Sequence, residues 1–191
     1  MVDTVVYKVV LCGDGAVGKT ALRLRYMGRG FQAKYMMTIG ADFALKEISV
    51  NDGIGNIQTH KFQIWDLAGQ QNFSYVRPLY YMGTHGVLLV YDVTRLSTYE
   101  NVQSWMGEIV KGIGKKLFPV ILIANKIDLR RQADMAISSE EGRELARRIS
   151  DEDFEGKLKI PYIETSAKTG ENVDDAFLKI AETTHAMYKE S

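Results

Sequence analysis

The segment Gly13-Asp14-Gly15-Ala16-Val17-Gly18-Lys19-Thr20 follows the apolar run Val5 to Leu11 directly. That order takes a buried strand through glycines into a helix opening on a lysine and a hydroxyl. Backbone N–H groups freed by the glycines point inward at an anion, and the helix N-terminus adds the positive end of its dipole. Lys19 can reach the β- and γ-phosphates of a nucleotide, and Thr20 can offer its hydroxyl to Mg²⁺. A glycine-rich turn between strand and helix is the bland alternative, and the strand before and helix after favour the phosphate cradle.

Asn125-Lys126-Ile127-Asp128 follows the apolar run Val120 to Ala124 and so falls at a strand's C-terminal end, the edge at which open parallel sheets bind ligands. Guanine presents N1–H and an exocyclic NH₂ side by side, and a carboxylate such as Asp128 accepts both; adenine lacks that donor pair. Asn125 and the stem of Lys126 can hold the loop and cover the base. Asp66-Leu67-Ala68-Gly69-Gln70 follows His60 to Trp65. An acid there can hold Mg²⁺ through water, Gly69 lets its N–H approach a γ-phosphate, and Gln70 carries both a donor and an acceptor with which to orient a water. Glu164-Thr165-Ser166-Ala167-Lys168, after Ile160 to Ile163, can wall the base with small residues and backbone N–H groups.

These four segments, in this order, resemble the G-box set of the Ras superfamily of small GTPases over nearly the whole chain. Thr38-Ile39-Gly40-Ala41-Asp42-Phe43, Phe62 to Asp66, Tyr80 to Gly86 and Tyr91 to Thr94 are similar to Rab patterns, whereas the phosphate loop reads more like Rho. The resemblance implies a P-loop NTPase G domain over residues 1–191, an α/β fold with a six-stranded, mostly parallel sheet, one antiparallel strand and helices on both faces. It implies GTP and GDP as substrate and product with Mg²⁺ as cofactor. By resemblance, Gly13, Asp14, Gly15, Ala16, Val17, Gly18, Lys19, Thr20 and Ala21 hold phosphates. Phe31 stacks on the guanine, Tyr35 folds over the phosphates, and Asn125, Lys126, Asp128, Ser166, Ala167 and Lys168 hold the base. Thr20 and Thr38 bind the metal with Asp66 in its outer shell. Thr38 and Gly69 sense the γ-phosphate, and Gln70, with Lys19 and Thr38, carries hydrolysis by positioning and electrostatics.

No arginine lies between Ala33 and Thr38, and Lys34 is no bidentate substitute. Hydrolysis by the isolated chain is therefore expected to be slow, with an arginine from an activating protein adding the family's about 10³ to 10⁵ in rate. Exchange proteins and effectors are the other expected partners, on an otherwise monomeric chain.

Composition fits one domain. The 191 residues are 46% hydrophobic and 25% charged, enough for a sizeable core, and 24 basic against 24 acidic residues produce no global field for nucleic acid or anionic lipid. The one cysteine, Cys12, excludes a disulfide framework, reads as a small core residue and suits a reducing, cytoplasmic setting. No apolar run approaches the about 18 residues of a membrane span. The chain stops at Lys189-Glu190-Ser191 without terminal cysteines, so a lipid anchor is not expected on it and any membrane association is expected to be indirect.

Strands are expected near Val5 to Leu11, Asp42 to Val50, His60 to Trp65, Val87 to Tyr91, Val120 to Ala124 and Ile160 to Ile163, interleaved with helices. Asn51 to Asn56 is turn chemistry for a hairpin between the second and third. Ser97 to Glu100 and Ser138 to Glu141 read as capping boxes, and Val173, Ala176, Phe177, Ile180, Ala181, Thr184 and Tyr188 form one core-facing stripe. Ile149 to Lys159 looks longer than family members use and reads as a surface loop or a partner-binding insert. Gln71-Asn72 replaces the Glu-Arg usual in Rab proteins. His60, His85 and His185 lack metal-ligand spacing, and Arg143, Arg147 and Arg148 read as a solvated face. Phe73, Tyr80 and Tyr81 read as core or, with Phe43 and Trp65, as an effector-docking surface. A P-loop nucleotide kinase and a non-hydrolysing GTP-dependent scaffold remain as other classes; Asn125 to Asp128 argues against the first and Gln70 against the second.

Overall fold

Strands β4 (Gly86–Asp92) and β5 (Val120–Asn125) are buried at every position, the mark of strands covered on both faces. In this computed structural model, which describes residues 5–31, 38–51, 55–114 and 117–189, they sit inside a six-stranded sheet. The others are β1 (Val6–Cys12), β2 (Ala41–Asn51), β3 (Ile57–Leu67) and β6 (Tyr162–Thr165), and the order is β2-β3-β1-β4-β5-β6. All neighbours pair in parallel except β2 and β3, which run antiparallel from Ala41 opposite Leu67 to Asn51 opposite Ile57. The expected hairpin is therefore present, although residues 52–54 of its turn lie outside the described residues.

Helices α1 (Lys19–Tyr26), α2 (Arg77–Tyr81), α3 (Leu96–Glu100), α4 (Val102–Ile113), α5 (Ser139–Phe154) and α6 (Val173–Tyr188) cover the sheet. Under one face Tyr81, Trp105, Met106, Phe118 and Ile149 form a core; under the other Leu22, Tyr26, Phe177 and Ile180 form a second. Tyr26 and Phe177 stack at 4.1 Å, which locks α1 to α6 and so fixes the helix that opens the phosphate loop. The α6 stripe packs as its spacing predicts, with Tyr188 only partly buried at the end. Cys12 is fully buried, and burial pushes its thiol up to about 12, which leaves it an unreactive core residue.

Several local expectations are corrected. The last strand starts at Tyr162, because Pro161 has no N–H to donate; its carbonyl accepts from Leu122 instead, and Glu164 and Thr165 belong to the strand. Ser97 does not cap a helix: α3 starts at Leu96, and the neighbouring Thr98 hydroxyl bonds within the turn to the Arg95 carbonyl. Ser138 and Glu141 do form the reciprocal capping box of α5. Most of the supposed insert is helix, since α5 runs to Phe154. Phe154 is buried, and Ser150 Oγ donates to the Leu158 carbonyl to close the turn back to the sheet. Tyr81 is core, whereas Phe43, Trp65 and Tyr80 form a contiguous aromatic surface with Phe43 half exposed. His60 and His185 are buried and stacked, and among the described residues no group of His, Cys, Asp or Glu has a metal-binding arrangement. No helix among them is long and apolar enough to cross a membrane.

Candidate functional site

The turn between β1 and α1 is built on positive φ angles at Gly13 (129°), Ala16 (63°) and Gly18 (103°). A side chain at Gly13 would strike the Val90 carbonyl, and one at Gly18 the Asn125 amide, so the loop threads between two other strand ends. Gly18 caps α1 without a side-chain hydrogen bond, leaving the first N–H groups to an incoming acceptor. Lys19 is buried; its ammonium donates to the carbonyls of Gly13 (2.6 Å) and Asp14 (2.7 Å). Burial lowers its pKa to about 8, with the Asp66 carboxylate opposing the shift. Val17 points into the core, Ala21 packs partly against it, and Ala16 is exposed.

Thr20, Thr38 and Asp66, 46 residues apart at the extremes, meet at one point. Thr20 Oγ1 donates to Asp66 Oδ2 (2.5 Å), Thr38 Oγ1 lies 2.9 Å from Thr20 Oγ1, and Thr38 also reaches Asp66 Oδ2 (3.3 Å). Asp66 is fully buried at the end of β3, and its Oδ1 has no hydrogen-bond partner among the described residues. Burial raises its pKa against the Thr20 hydrogen bond and the Lys19 charge. An orphaned buried carboxylate oxygen beside two hydroxyls is a hard oxygen set short of a cation, and it fits Mg²⁺.

Gly69 lies against the phosphate loop so closely that a Cβ there would stand 2.5 Å from the Gly13 carbonyl oxygen and 2.6 Å from that of Asp14. Gln70 follows, its side chain within 3.7 Å of where a Cβ on Gly15 would be, so glutamine and phosphate loop face each other. Phe31 is 43% exposed. Tyr35, and the stretch from Ala33 to Met37 that lacks arginine, lie outside the described residues.

The base side is held by Asn125, fully buried at the end of β5. Its Nδ2 donates to the Val17 carbonyl (2.8 Å), while its Oδ1 accepts from Thr165 Oγ1 (3.1 Å) and Ala167 N (3.2 Å). One amide thus ties three of the sequence segments together. Ser166 Oγ donates to Asp128 Oδ1 (2.6 Å), and the Thr169 N–H returns to Ser166 Oγ, orienting the carboxylate. Lys168 is exposed beside it. Lys126, in the left-handed region at φ 68°, pairs with Asp92 at 2.7 Å, which pins its aliphatic stem along the loop. Thr165 and Asp92 fall within segments read from the sequence but had no role of their own there; both end strands at the same sheet edge, and that position was the available signal.

A sequence model of the Ras family matches residues 8–186. The chain belongs to the Ras family. The Ras-related protein RABD1 of Arabidopsis thaliana is 40% identical, over 92% of this chain and 77% of its own length. Rab7 of Drosophila melanogaster is 36% identical over 96% and 83%, and RabG2 of Dictyostelium discoideum 39% over 95% and 83%. This is a Rab-like small GTPase, and the fold is that of the family, one antiparallel strand included.

Proposed function

We propose that this Ras-family chain acts, as one G domain, as a GTP-dependent switch in Rab-like membrane trafficking, with hydrolysis carried by the loops around Gly13 to Thr20 and Gly69-Gln70. The observation that supports it most is the Asn125 side chain, which joins the phosphate loop at Val17 to the base loop at Ala167, so that phosphate and guanine sites form one unit.

Asp128 accepts the two guanine donors through its remaining oxygen capacity, while the loop amides from Gly13 to Gly18 and Lys19 take the phosphates. Thr20, Thr38 and Asp66 would hold Mg²⁺, which when bound supplies positive charge to the phosphate oxygens. Gln70, facing Gly15, orients the attacking water, and Lys19 stabilises charge on the departing β-phosphate side. Thr38 and Gly69 contact the γ-phosphate, so its loss releases the segments that carry them. The Phe43, Trp65 and Tyr80 surface, lying between those segments, presents the bound state to an effector.

Single-turnover hydrolysis of GTP preloaded with Mg²⁺, with and without extract of the native cell, tests the reading. Slow hydrolysis accelerated by extract is expected. In Gln70→Leu the acceleration is lost while GTP binding persists; equal turnover in the variant would remove Gln70 from the mechanism. Hydrolysis absent from the wild-type chain in both conditions would make it a GTP-dependent scaffold, and effective competition by ATP would defeat the guanine assignment.

A further inference from the structure

The outer side of the phosphate loop is gripped by side chains that no nucleotide motif contains. Both Asp14 carboxylate oxygens are taken from α4: Asn101 Nδ2, at its N-cap, donates to Oδ2 (2.8 Å) and Trp105 Nε1, one turn on, to Oδ1 (2.7 Å). Arg95 Nη2 donates to the Gly15 carbonyl (2.8 Å). Because the peptide is trans, a Gly15 carbonyl turned toward Arg95 turns the Ala16 N–H away from it.

The ring of the same indole holds a second group. The Arg77 guanidinium lies 4.3 Å from the Trp105 ring centroid. Glu108, three residues beyond Trp105 and therefore on the same helix face, fixes that guanidinium in a two-pronged pair (Nε to Oε1 2.7 Å, Nη2 to Oε2 2.5 Å), and Tyr81 Oη donates to Oε1 as well (2.6 Å). The remaining Arg77 nitrogen, Nη1, donates to the backbone carbonyl of Gln70 (3.0 Å). Arg77 is nearly fully buried, so it has no solvated alternative to this arrangement.

We propose that Trp105 is a positioning residue for GTP hydrolysis: through Asp14 it holds the phosphate loop, and through Arg77 it holds Gln70, so that one rigid helix sets the spacing between γ-phosphate and attacking water. The inference rests on the hydrolytic reading above. Its distinguishing consequence is a split. Nucleotide affinity is carried by the inward amides, Lys19 and Asp128, and Trp105 touches this set only through the outward-facing Asp14 carboxylate, whereas the alignment of Gln70 with the loop depends on it. An error of about 1 Å in such alignment is enough to slow a reaction substantially without weakening binding.

Trp105→Phe keeps an aromatic face for Arg77 and removes the donor to Asp14 together with part of the buried indole, a packing loss that the melting temperature reports. Glu108→Gln keeps volume and removes the charge that anchors Arg77. On the full chain loaded with GTP and Mg²⁺, we would measure the single-turnover hydrolysis rate constant, the dissociation rate constant of bound GDP, and thermal melting. For Trp105→Phe, hydrolysis slows about tenfold, the usual scale for losing one hydrogen bond to a charged group, while GDP dissociation is unchanged. Unchanged hydrolysis overturns the proposal, and so does hydrolysis slowed in proportion to faster GDP dissociation, which would make Trp105 merely structural. If Trp105→Phe does not fold, Glu108→Gln decides by the same split. A wild-type chain that fails to hydrolyse GTP would instead defeat the underlying reading, so the two failures are distinct.

Discussion

Asp128 has two oxygens with different duties. Oδ1 already accepts from Ser166, which fixes the side chain in rotation and leaves Oδ2 as the oxygen that would meet the base in the proposed function. Asp128→Asn would keep an oxygen toward Ser166 and place its NH₂ where Oδ2 stood, so a donor would face the donor edge of guanine. The loss of charge-assisted bonding and the new repulsion should weaken GDP binding about 100-fold. A base with an oxygen at that edge, xanthine, should gain. Competition of guanosine and xanthosine diphosphates for the variant measures both, and an unchanged preference for guanine would mean that Asp128 does not read the base. Asn125 differs in kind: fully buried and bonded on both sides of its amide to protein groups, it would act on a nucleotide mainly by holding the loops around it.

At the scale of elements, the loops proposed to read the base are held by one carboxylate. Glu164 Oε1, on β6, accepts from Arg130 (2.7 Å), from Ser139 at the start of α5 (2.6 Å) and from Tyr162 (2.7 Å). Burial alone would raise its pKa, but these donors outweigh burial and bring it to about 2. A carboxylate whose folded pKa lies below its unfolded value, about 4.3, stabilises the fold fully above pH 4.3 and ceases to do so as pH falls toward 2. Glu164→Gln should therefore cost about 2–3 kcal/mol at pH 7 and flatten the acid limb of the stability curve between about pH 4.5 and 2. Urea melts of both chains across that range test it, and parallel acid limbs would show that Glu164 does not contribute. Such links are also where sequence reading ran out. Local patterns sufficed for most of the strands, for the α5 capping box and for singling out the four segments that the fold brings together, because period, turn chemistry and loop composition are properties of neighbours in the chain. They misplaced the start of β6, where Pro161 interrupts the ladder, and the start of α3, where Thr98 bonds back within its own turn. They could not reveal that Trp105 meets Asp14 across 91 residues or that Asp92 receives Lys126, since such pairs exist only once β4, β5 and α4 are brought to the same sheet edge.

Across the whole molecule, the site concentrates buried charge that the neighbouring carboxylates Asp66 and Asp14 only partly offset. Burial lowers the Lys19 pKa to about 8 among the protein groups alone, against about 10.4 in the unfolded chain. Its buried ammonium therefore costs the fold about 3 kcal/mol below pH 8, a cost relieved as pH rises from 8 toward about 10.4. Phosphate oxygens at the loop would stabilise the ammonium and return its pKa upward, so nucleotide binding offsets the cost of burying it. Binding and folding are thus coupled, and stripping the nucleotide should lower the melting temperature by more than the loss of surface contacts alone would suggest. The same coupling has a proton signature. At pH 7 Lys19 is already charged and GDP binding takes up little proton, whereas as pH rises past 8 a growing share of the free molecules has lost the proton and must regain it on binding. Titration calorimetry in two buffers of different ionisation enthalpy counts that proton directly. Uptake rising from near zero at pH 7 toward one above pH 8 is expected, with affinity falling over the same range. Equal uptake at both pH values would mean that the ammonium is already compensated in the free protein, and that the stability gained on binding comes from the loops closing and not from Lys19.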